Sequence, residues 1–189
     1  MDLILASASP RRSELLRQAG FTDLRIIPAV NVEEIEPPEE YAHYAALRNA
    51  ELKAHAVSDE YPDDLVIGAD TVIEFGKDII GKPGSEDEAK QILARLAGKT
   101  HCVTTGVAIC CRSKGIKVFF NDMTLVTFRP FGPEVIDDYM SKVNVMDKAG
   151  AYGIQEHGDM LVEKVEGSIS NVIGLPVERI AETLHNIGL

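Results

Sequence analysis

The sequence predicts an α/β protein with a mixed β-sheet, and two observations lead to this prediction. Short apolar runs of strand length alternate with amphipathic segments of helix length along most of the chain. Two longer strand-like runs, 100–112 and 117–128, are joined by a Ser-Lys-Gly turn at 113–115 and therefore predict a hairpin of antiparallel strands. With 45% hydrophobic residues, the chain can form one domain over residues 1–189, either compact or folded as two lobes.

The first unit is a strand, a tight turn and a helix. The apolar run at 3–6 has the length of a buried strand. Ser9 followed by Pro10 is typical of an N-cap with proline in the first helical turn, and Gly20 suits the residue that ends such a helix. A second strand is expected at 24–27.

The rest of the chain alternates in the same way. A long helix is expected at 39–57 after two prolines, and the most apolar strand follows at 65–73, interrupted only by Asp70. The further expected elements are a helix at 86–97 that begins with the capping box of Ser85 and Glu88, a helix at 133–143, strands near 161–162 and 170–173, and a last helix from about Pro176.

Charge and composition exclude several classes of protein. The formal net charge of −11 argues against a general nucleic-acid binder, because such binding needs many lysine and arginine contacts to phosphates. The N-terminus carries Asp2 where a signal peptide has basic residues, and no stretch reaches the roughly 18 apolar residues of a membrane span. The three cysteines lack metal-ligand spacing and are expected to be reduced core residues. We therefore expect a cytoplasmic protein with no nucleic-acid or membrane partner.

Asp70 is the most informative candidate for chemistry. A carboxylate in an apolar strand is costly unless it is hydrogen-bonded, ion-paired or bound to a cation. Catalytic acids of open α/β sheets lie at comparable positions, near the ends of strands. The alternative is a structural aspartate that caps the next turn. Thr71 beside it is equally compatible with an ordinary β-branched strand residue.

Cationic side chains in the loops suit an anionic ligand. The helix that begins at Pro10 offers unpaired backbone N–H groups, and Arg11 and Arg12 add guanidinium groups that match phosphate oxygens. The alternative is that Ser9 only caps the helix and the arginines are solvated. Lys82 lies between a glycine and a proline, where a directed role competes with that of a solvated turn lysine.

Three further candidates lie elsewhere in the chain. The glycine-rich segment 147–155 allows close backbone approach to a ligand, with Lys148 as a cation and Gln155 as a group able to recognise a base edge. The alternative is a plain connection. Glu33 could bind a divalent metal ion, although most acidic runs are solvated, and Lys53 lies on the long helix, where an exposed lysine is the default.

The five histidines show no zinc-ligand spacing, and no Walker loop or dinucleotide-binding fingerprint occurs.

Taken together, five ordered motifs resemble those of the Maf family, nucleoside triphosphate pyrophosphatases once called septum formation inhibitors. The motifs are Ser7-Ala8-Ser9-Pro10-Arg11-Arg12, Gly68-Ala69-Asp70-Thr71, Gly81-Lys82-Pro83, residues 147–155 and Gly174-Leu175-Pro176. The likeness runs from Leu3 to about Val177. One departure is that many relatives carry an aromatic pair after the glycine that corresponds to Gly167, where this chain has Ser168-Ile169-Ser170.

The resemblance implies an elongated α/β fold similar to the inosine triphosphate pyrophosphatases, with a mixed sheet, flanking helices and two lobes around a cleft. It also implies a homodimer. The implied reaction hydrolyses a nucleoside triphosphate between the α- and β-phosphates, giving the monophosphate and pyrophosphate with a divalent cation, Mg²⁺ or Mn²⁺.

The same resemblance assigns roles to residues. Asp70 matches the proton acceptor. Arg12, Thr71 and Gln155 match positions associated with base selection, and their identities resemble the branch acting on dTTP and UTP rather than on 7-methyl-GTP. Modified pyrimidine nucleotides are further candidate substrates. Phosphate-binding roles are predicted for Ser9, Arg11, Lys53, Lys82 and Lys148, and metal-binding roles for Glu33 and Asp70.

Two alternative functions stay open at the level of sequence. One is a nucleotide-binding regulator of septum formation or cell division that binds triphosphates without significant turnover. The other is a purine-directed pyrophosphatase that resembles the inosine triphosphate group.

Overall fold

The computed structural model describes residues 1–35 and 42–188 and contains a seven-stranded sheet with flanking helices. The strands are β1 (Leu3–Leu5), β2 (Leu24–Ile26), β3 (Leu65–Phe75), β4 (Asp78–Ile80), β5 (Thr100–Cys111), β6 (Ile116–Phe128) and β7 (Val162–Glu166). The helices are α1 (Pro10–Gln18), α2 (Ala42–Glu60), α3 (Glu86–Leu96), α4 (Pro133–Lys142), α5 (Ile169–Ile173) and α6 (Val177–Asn186), with single 3₁₀ turns at Ala149–Ala151 and Gly158–Met160.

The sheet is mixed, as the sequence predicts. Its strand order is β2-β1-β3-β5-β6-β7, with β4 paired to β3. β1 runs parallel to β2 and to β3, whereas the other neighbouring pairs are antiparallel. The predicted hairpin is β5–β6, whose pairing extends from Thr100 opposite Thr127 to Cys111 opposite Ile116.

The middle of β3 has an open edge. β1 pairs with β3 only from Leu65 to Ile67, and β4 begins to pair at Ile73. On the opposite edge, β5 pairs with β3 from Val66 to Glu74 without a break. Among the described strands, none therefore covers this edge of β3 over residues 68–72, the stretch that contains Asp70.

Apolar clusters on the two sides of this opening form two lobes. In one lobe, α3 and α4 pack against the β4 end of the sheet. In the other, α1 and α6 cover one face of β1, β3 and β5, while α2 covers the opposite face. Because β5 and β6 are 12 and 13 residues long, they run through both lobes and connect them in one sheet.

Helix α2 lies close to the sheet because glycines face it. A Cβ atom added at Gly68 would lie 2.2 Å from the carbonyl oxygen of Ala50, and one added at Gly106 would lie 2.4 Å from that of Ala46. No larger residue fits this approach without moving the helix. The approach lets side chains of α2 reach the open stretch of β3.

The structure differs from the sequence prediction in two elements. The predicted strand at 170–173 is wrong, because these residues belong to the short helix α5. Its first turn is capped by the Ser168 hydroxyl, which accepts a hydrogen bond from the backbone N–H of Asn171. β4 was not predicted, and it follows a tight turn at Gly76, whose φ is 68°.

The predicted start of the long helix, 39–41, lies outside the described residues. None of the described helices is both long and apolar enough to cross a bilayer.

Candidate active site

A cavity of about 810 Å³ opens where β3 has no strand neighbour, between the two lobes. Its size is typical of small-molecule sites. Every candidate residue predicted from the sequence except Glu33 contributes to its walls. These are Ser9, Arg11, Arg12, Lys53, Asp70, Thr71, Lys82, Lys148 and Gln155. The folded chain therefore brings together residues that are up to about 150 positions apart in sequence.

The Asp70 carboxylate is paired on the cavity wall. Lys53 Nζ lies 2.9 Å from Asp70 Oδ1, and Asn49 Nδ2 donates to Asp70 Oδ2 over 3.2 Å. Asn49 and Lys53 are one helical turn apart and thus point from the same face of α2. The expectation that this carboxylate must be paired or hydrogen-bonded is confirmed.

The acidic stretch that contains Glu33 and Glu34 reaches the cavity through Glu34, whereas the sequence prediction named Glu33. Glu33 is exposed and is absent from the cavity walls, whereas Glu34 lines them. Glu34 Oε1 lies 2.9 Å from Lys53 Nζ, so this ammonium group is shared by the carboxylates of Glu34 and Asp70. A metal-binding role for Glu33 stays a prediction, and Glu34 is the residue of the pair that the cavity contains.

Asp70 and Thr71 project from opposite faces of β3, as neighbouring strand residues do. Asp70 points toward α2. Thr71 Oγ1 accepts a hydrogen bond from Arg12 Nη2 at 3.0 Å and lies 3.0 Å from the hydroxyl oxygen of Thr105 on β5. Both residues still line the cavity because the edge of β3 between them is open.

Arg12 joins three parts of the chain through its guanidinium group. Nε donates to the carbonyl oxygen of Gly174 at 2.8 Å, and Nη1 donates to Ala69 O at 2.9 Å and to Ser7 Oγ at 3.2 Å. Together with the bond to Thr71, four of its five N–H groups are engaged. Burial lowers the pKa of Arg12 from its ordinary value, and the nearby Asp70 carboxylate opposes this shift. One N–H group of Arg12 has no protein partner among the described residues.

A second ion-paired cluster forms another wall. Lys148 is buried, and its ammonium group has three acceptors: Asn144 O at 2.6 Å, Asp147 Oδ1 at 2.9 Å and Glu156 Oε1 at 3.1 Å. Arg11 Nη1 binds the other oxygen of Asp147 at 2.9 Å. Partial burial would raise the pKa of Asp147, but the hydrogen bonds from Lys148 and Arg11 outweigh it, so the pKa is lowered.

Three predicted residues keep their polar groups available. The Ser9 side chain makes no capping hydrogen bond, so the prediction that it caps α1 is correct for its position and wrong for its hydroxyl group. Lys82 and Gln155 are exposed at the cavity and make no side-chain hydrogen bond within the described ranges. The backbone N–H of Gly150 donates to Gly81 O at 3.0 Å, which holds the Lys82 loop beside the 147–155 segment.

The carboxylates fit a divalent cation that is completed by substrate. No group of three or more potential metal ligands occurs in the described part of the chain. Mg²⁺, however, is commonly bound by one or two carboxylates together with substrate phosphates and water. The oxygens of Glu34 and Asp70, which share one cationic neighbour in Lys53, are a donor set of this kind.

Comparison with known sequences assigns the chain to a family. A family profile described as "Maf-like protein" matches residues 2–187. The chain belongs to the Maf family. Among similar relatives, a protein named dTTP/UTP pyrophosphatase from Akkermansia muciniphila is 44% identical over 98% of this chain and 96% of its own length. Proteins of the same name from Cytophaga hutchinsonii and Koribacter versatilis are each 42% identical, over 98% and 100% of this chain and 84% and 96% of their own lengths.

Solved structures confirm the fold expected of this Maf family member. The chain resembles the Ham1 protein of Staphylococcus aureus with a TM-score of 0.56 at 15% identity, covering 98% of this chain and 99% of that one. A HAM1 protein from Coxiella burnetii gives a TM-score of 0.53 at 13% identity, again covering 98% and 99% of the two chains. At such identities the likeness concerns the fold alone.

Sequence reasoning missed several residues that shape the cavity. Glu34, Asn49, Asp147 and Glu156 each contact a candidate residue, yet none was singled out. Asn49 had a detectable signal: it is an amide on the alanine-rich face of a long helix, four residues before Lys53. For Glu156, the sequence offers no comparable signal.

Proposed function

We propose that this Maf family member is a nucleoside triphosphate pyrophosphatase that hydrolyses dTTP and UTP, and modified pyrimidine nucleotides, to the monophosphate and pyrophosphate. The observation that carries the proposal is the position of Asp70. Its carboxylate lies at the open edge of β3, in a cavity whose other walls hold the cations Arg11, Arg12, Lys82 and Lys148. The names of relatives at 42–44% identity support the same substrates.

In the proposed reaction, water adds its oxygen to the α-phosphorus. The bond from this phosphorus to the bridging oxygen breaks, and its electron pair leaves with pyrophosphate. Asp70 orients the water and accepts its proton, while Lys53 and Asn49 hold the carboxylate in place. A divalent cation, Mg²⁺ or Mn²⁺, bound by Asp70 and Glu34, would supply positive charge that polarises the phosphate oxygens.

The charges of the cavity support phosphate binding in which a triphosphate replaces carboxylates as the partner of the cationic side chains. Lys53 and Lys148 are each paired with two carboxylates, and Arg11 is paired with Asp147. Lys82 makes no ion pair in the described part of the chain and is therefore available to a triphosphate directly. For Arg11, the phosphate oxygens would compete with Asp147, whose carboxylate is half exposed and can turn to solvent. Ser9 and the N-terminus of α1 add neutral donors to the same wall.

Base selection is proposed for Gln155, Arg12 and Thr71, which line the same cavity. Gln155 is exposed on the 147–155 segment, and its amide can pair with the N3–H and O4 groups of uracil or thymine. Arg12 and Thr71 are hydrogen-bonded to each other, so we propose that they act as a unit. Arg12 offers its remaining N–H group, and its contact to Gly174 O fixes the backbone that borders the site.

We also propose a cytoplasmic homodimer. Three free cysteines support a reducing compartment. Phe119, Met123 and Leu125 lie on one face of β6, at 38%, 59% and 45% exposure, and are candidates for burial in a dimer. Sedimentation equilibrium of the wild type and of Met123→Lys tests the assembly, with dimer expected for the first and monomer for the second. A wild type that remains monomeric at all concentrations would exclude the dimer.

The function is tested with a panel of nucleotides. The purified protein is incubated with dTTP, UTP, CTP, GTP, ITP and 7-methyl-GTP in the presence of Mg²⁺, and pyrophosphate is measured. We expect the highest kcat/KM for dTTP and UTP, and loss of most turnover in Asp70→Asn, with the exposed Asp63→Asn as control. Preferred turnover of ITP or GTP would favour a purine-directed enzyme, and binding without pyrophosphate release would favour a nucleotide-binding regulator.

A further inference from the structure

Asn49 makes three hydrogen bonds next to the candidate catalytic carboxylate. Its Nδ2 donates to Asp70 Oδ2 and to the carbonyl oxygen of Ile35, each over 3.2 Å, and its Oδ1 accepts from the backbone N–H of Ile35 at 2.7 Å. The residue is only 4% exposed. Rotating the amide by 180° would set its oxygen against two acceptors, so the bonding partners themselves determine its orientation.

These bonds attach the acidic segment, residues 28–35 with Glu33 and Glu34, to the rest of the protein. Among the described residues, the backbone of residues 28–35 makes no other hydrogen bond to protein than the two that Asn49 forms with Ile35. The side chain of Glu34 adds an ion pair to Lys53, which is shared with Asp70. An ion pair between two long side chains, one of which is 53% exposed, fixes a backbone less well than two hydrogen bonds from a buried amide.

We propose that Asn49 is a positioning residue that holds Glu34 and Asp70 in the relative geometry needed to bind one divalent cation. This inference rests on the proposed function, because it concerns the carboxylates of that reaction. One amide touches both sides of the pair: it donates to Asp70 directly, and it fixes the backbone beside Glu34. Loss of the amide frees the acidic segment and removes one donor from Asp70, while the side chains of both carboxylates stay intact.

The test compares metal binding in the absence of nucleotide. Mn²⁺ binding is measured by electron paramagnetic resonance for the wild type, Asn49→Ala and Asn49→Leu. Alanine continues the alanine-rich face of α2 and favours the helix, whereas leucine keeps the branching at Cγ without any hydrogen bond. Outer partners of metal ligands commonly change affinity by about 10–100-fold, so we expect Mn²⁺ affinity at least about 10-fold weaker in both variants.

The matched control is Val57→Ala, two turns further along α2. Val57 is buried among apolar residues of α2, β1, β3 and β5 and has no polar side-chain atom, so its truncation destabilises the same helix without removing a polar contact. We expect Val57→Ala to lower the melting temperature and to bind Mn²⁺ as the wild type does. Steady-state kinetics with dTTP should show that the Asn49 variants lose kcat more than they raise the KM.

The outcomes separate this inference from the proposed function. Mn²⁺ affinity within twofold of the wild type in either folded Asn49 variant would overturn the positioning role, as would a wild type that does not bind Mn²⁺. An equal loss of affinity in Val57→Ala would also overturn it, because stability alone would then explain the effect. A wild type that binds Mn²⁺ but releases no pyrophosphate refutes the proposed function, and the comparison of affinities still decides the role of Asn49.

Discussion

The close approach of α2 to the sheet predicts that adding a single methyl group will damage both stability and catalysis. In Gly106→Ala, the new Cβ would lie 2.4 Å from three backbone atoms of Ala46 and Leu47, whereas ordinary contact begins at 3.4 Å. Backbone atoms cannot move aside as a flexible side chain can, so α2 must shift by about 1 Å. Asn49 and Lys53, which hold Asp70, would move with the helix.

The expected magnitudes follow from this shift. Overpacking of this kind costs typically about 1–3 kcal/mol, and we expect Gly106→Ala to lower the free energy of unfolding by that amount. Misplacement of catalytic groups by about 1 Å can reduce turnover by roughly 100-fold. Urea denaturation and dTTP kinetics at saturating Mg²⁺ measure the two effects.

The matched control is Gly132→Ala, where a new Cβ meets nothing within 4 Å and φ is −106°, which alanine adopts freely. It should lower the free energy of unfolding by less than about 1 kcal/mol and leave kcat unchanged. If Gly106→Ala has the stability and kcat of the wild type, the contact between α2 and β5 does not position the site, and the reasoning is refuted.

Three further predictions concern single side chains. Arg12→Lys should lower the free energy of unfolding by about 2 kcal/mol in urea denaturation, because a lysine cannot reach the same acceptors. The control Arg17→Lys, on the same helix, should stay within about 0.5 kcal/mol of the wild type. Equal effects of the two substitutions would contradict the role of the guanidinium group. Burial lowers the pKa of His101 to about 4. The free energy of unfolding should therefore be highest above pH 6.5 and fall by about 3 kcal/mol as the pH drops toward 4, because the unfolded chain binds the proton first. This pH dependence should disappear in His101→Phe and remain in His43→Gln. Gln155→Ala should reduce the kcat/KM preference for dTTP over CTP by about 10-fold, and unchanged relative rates would argue against base recognition there.

Local patterns in the sequence predicted most of the fold. The apolar runs of β1, β3, β5 and β6, and the proline and serine signals before α1 and α3, each lie within one element and need no tertiary information. The error at α5 has a local cause as well. Its five residues include two isoleucines and a valine, which favour a strand, but the Ser168 cap and its packing under β6 select a helix.

The sequence predicted which residues belong to the candidate site but not which residues they contact. Charged and polar candidate residues were recognisable in the local sequence, and nine of these ten candidates line one cavity. Their partners depend on long-range packing: Arg12 binds Gly174 O, 162 positions away. Which of two adjacent glutamates faces the cavity depends on the backbone path after Asn31, whose φ of 57° is left-handed. No periodic pattern reports such a turn.

The most direct test of the central claim is to follow the oxygen of the attacking water. The protein hydrolyses dTTP in water enriched in ¹⁸O with Mg²⁺, and mass spectrometry of both products locates the label. We predict one pyrophosphate per dTTP, with ¹⁸O in the thymidine monophosphate, and a rate that falls sharply in Asp70→Asn. Label in pyrophosphate, release of orthophosphate, or an unchanged rate in Asp70→Asn would contradict hydrolysis at the α-phosphorus by a water that Asp70 orients.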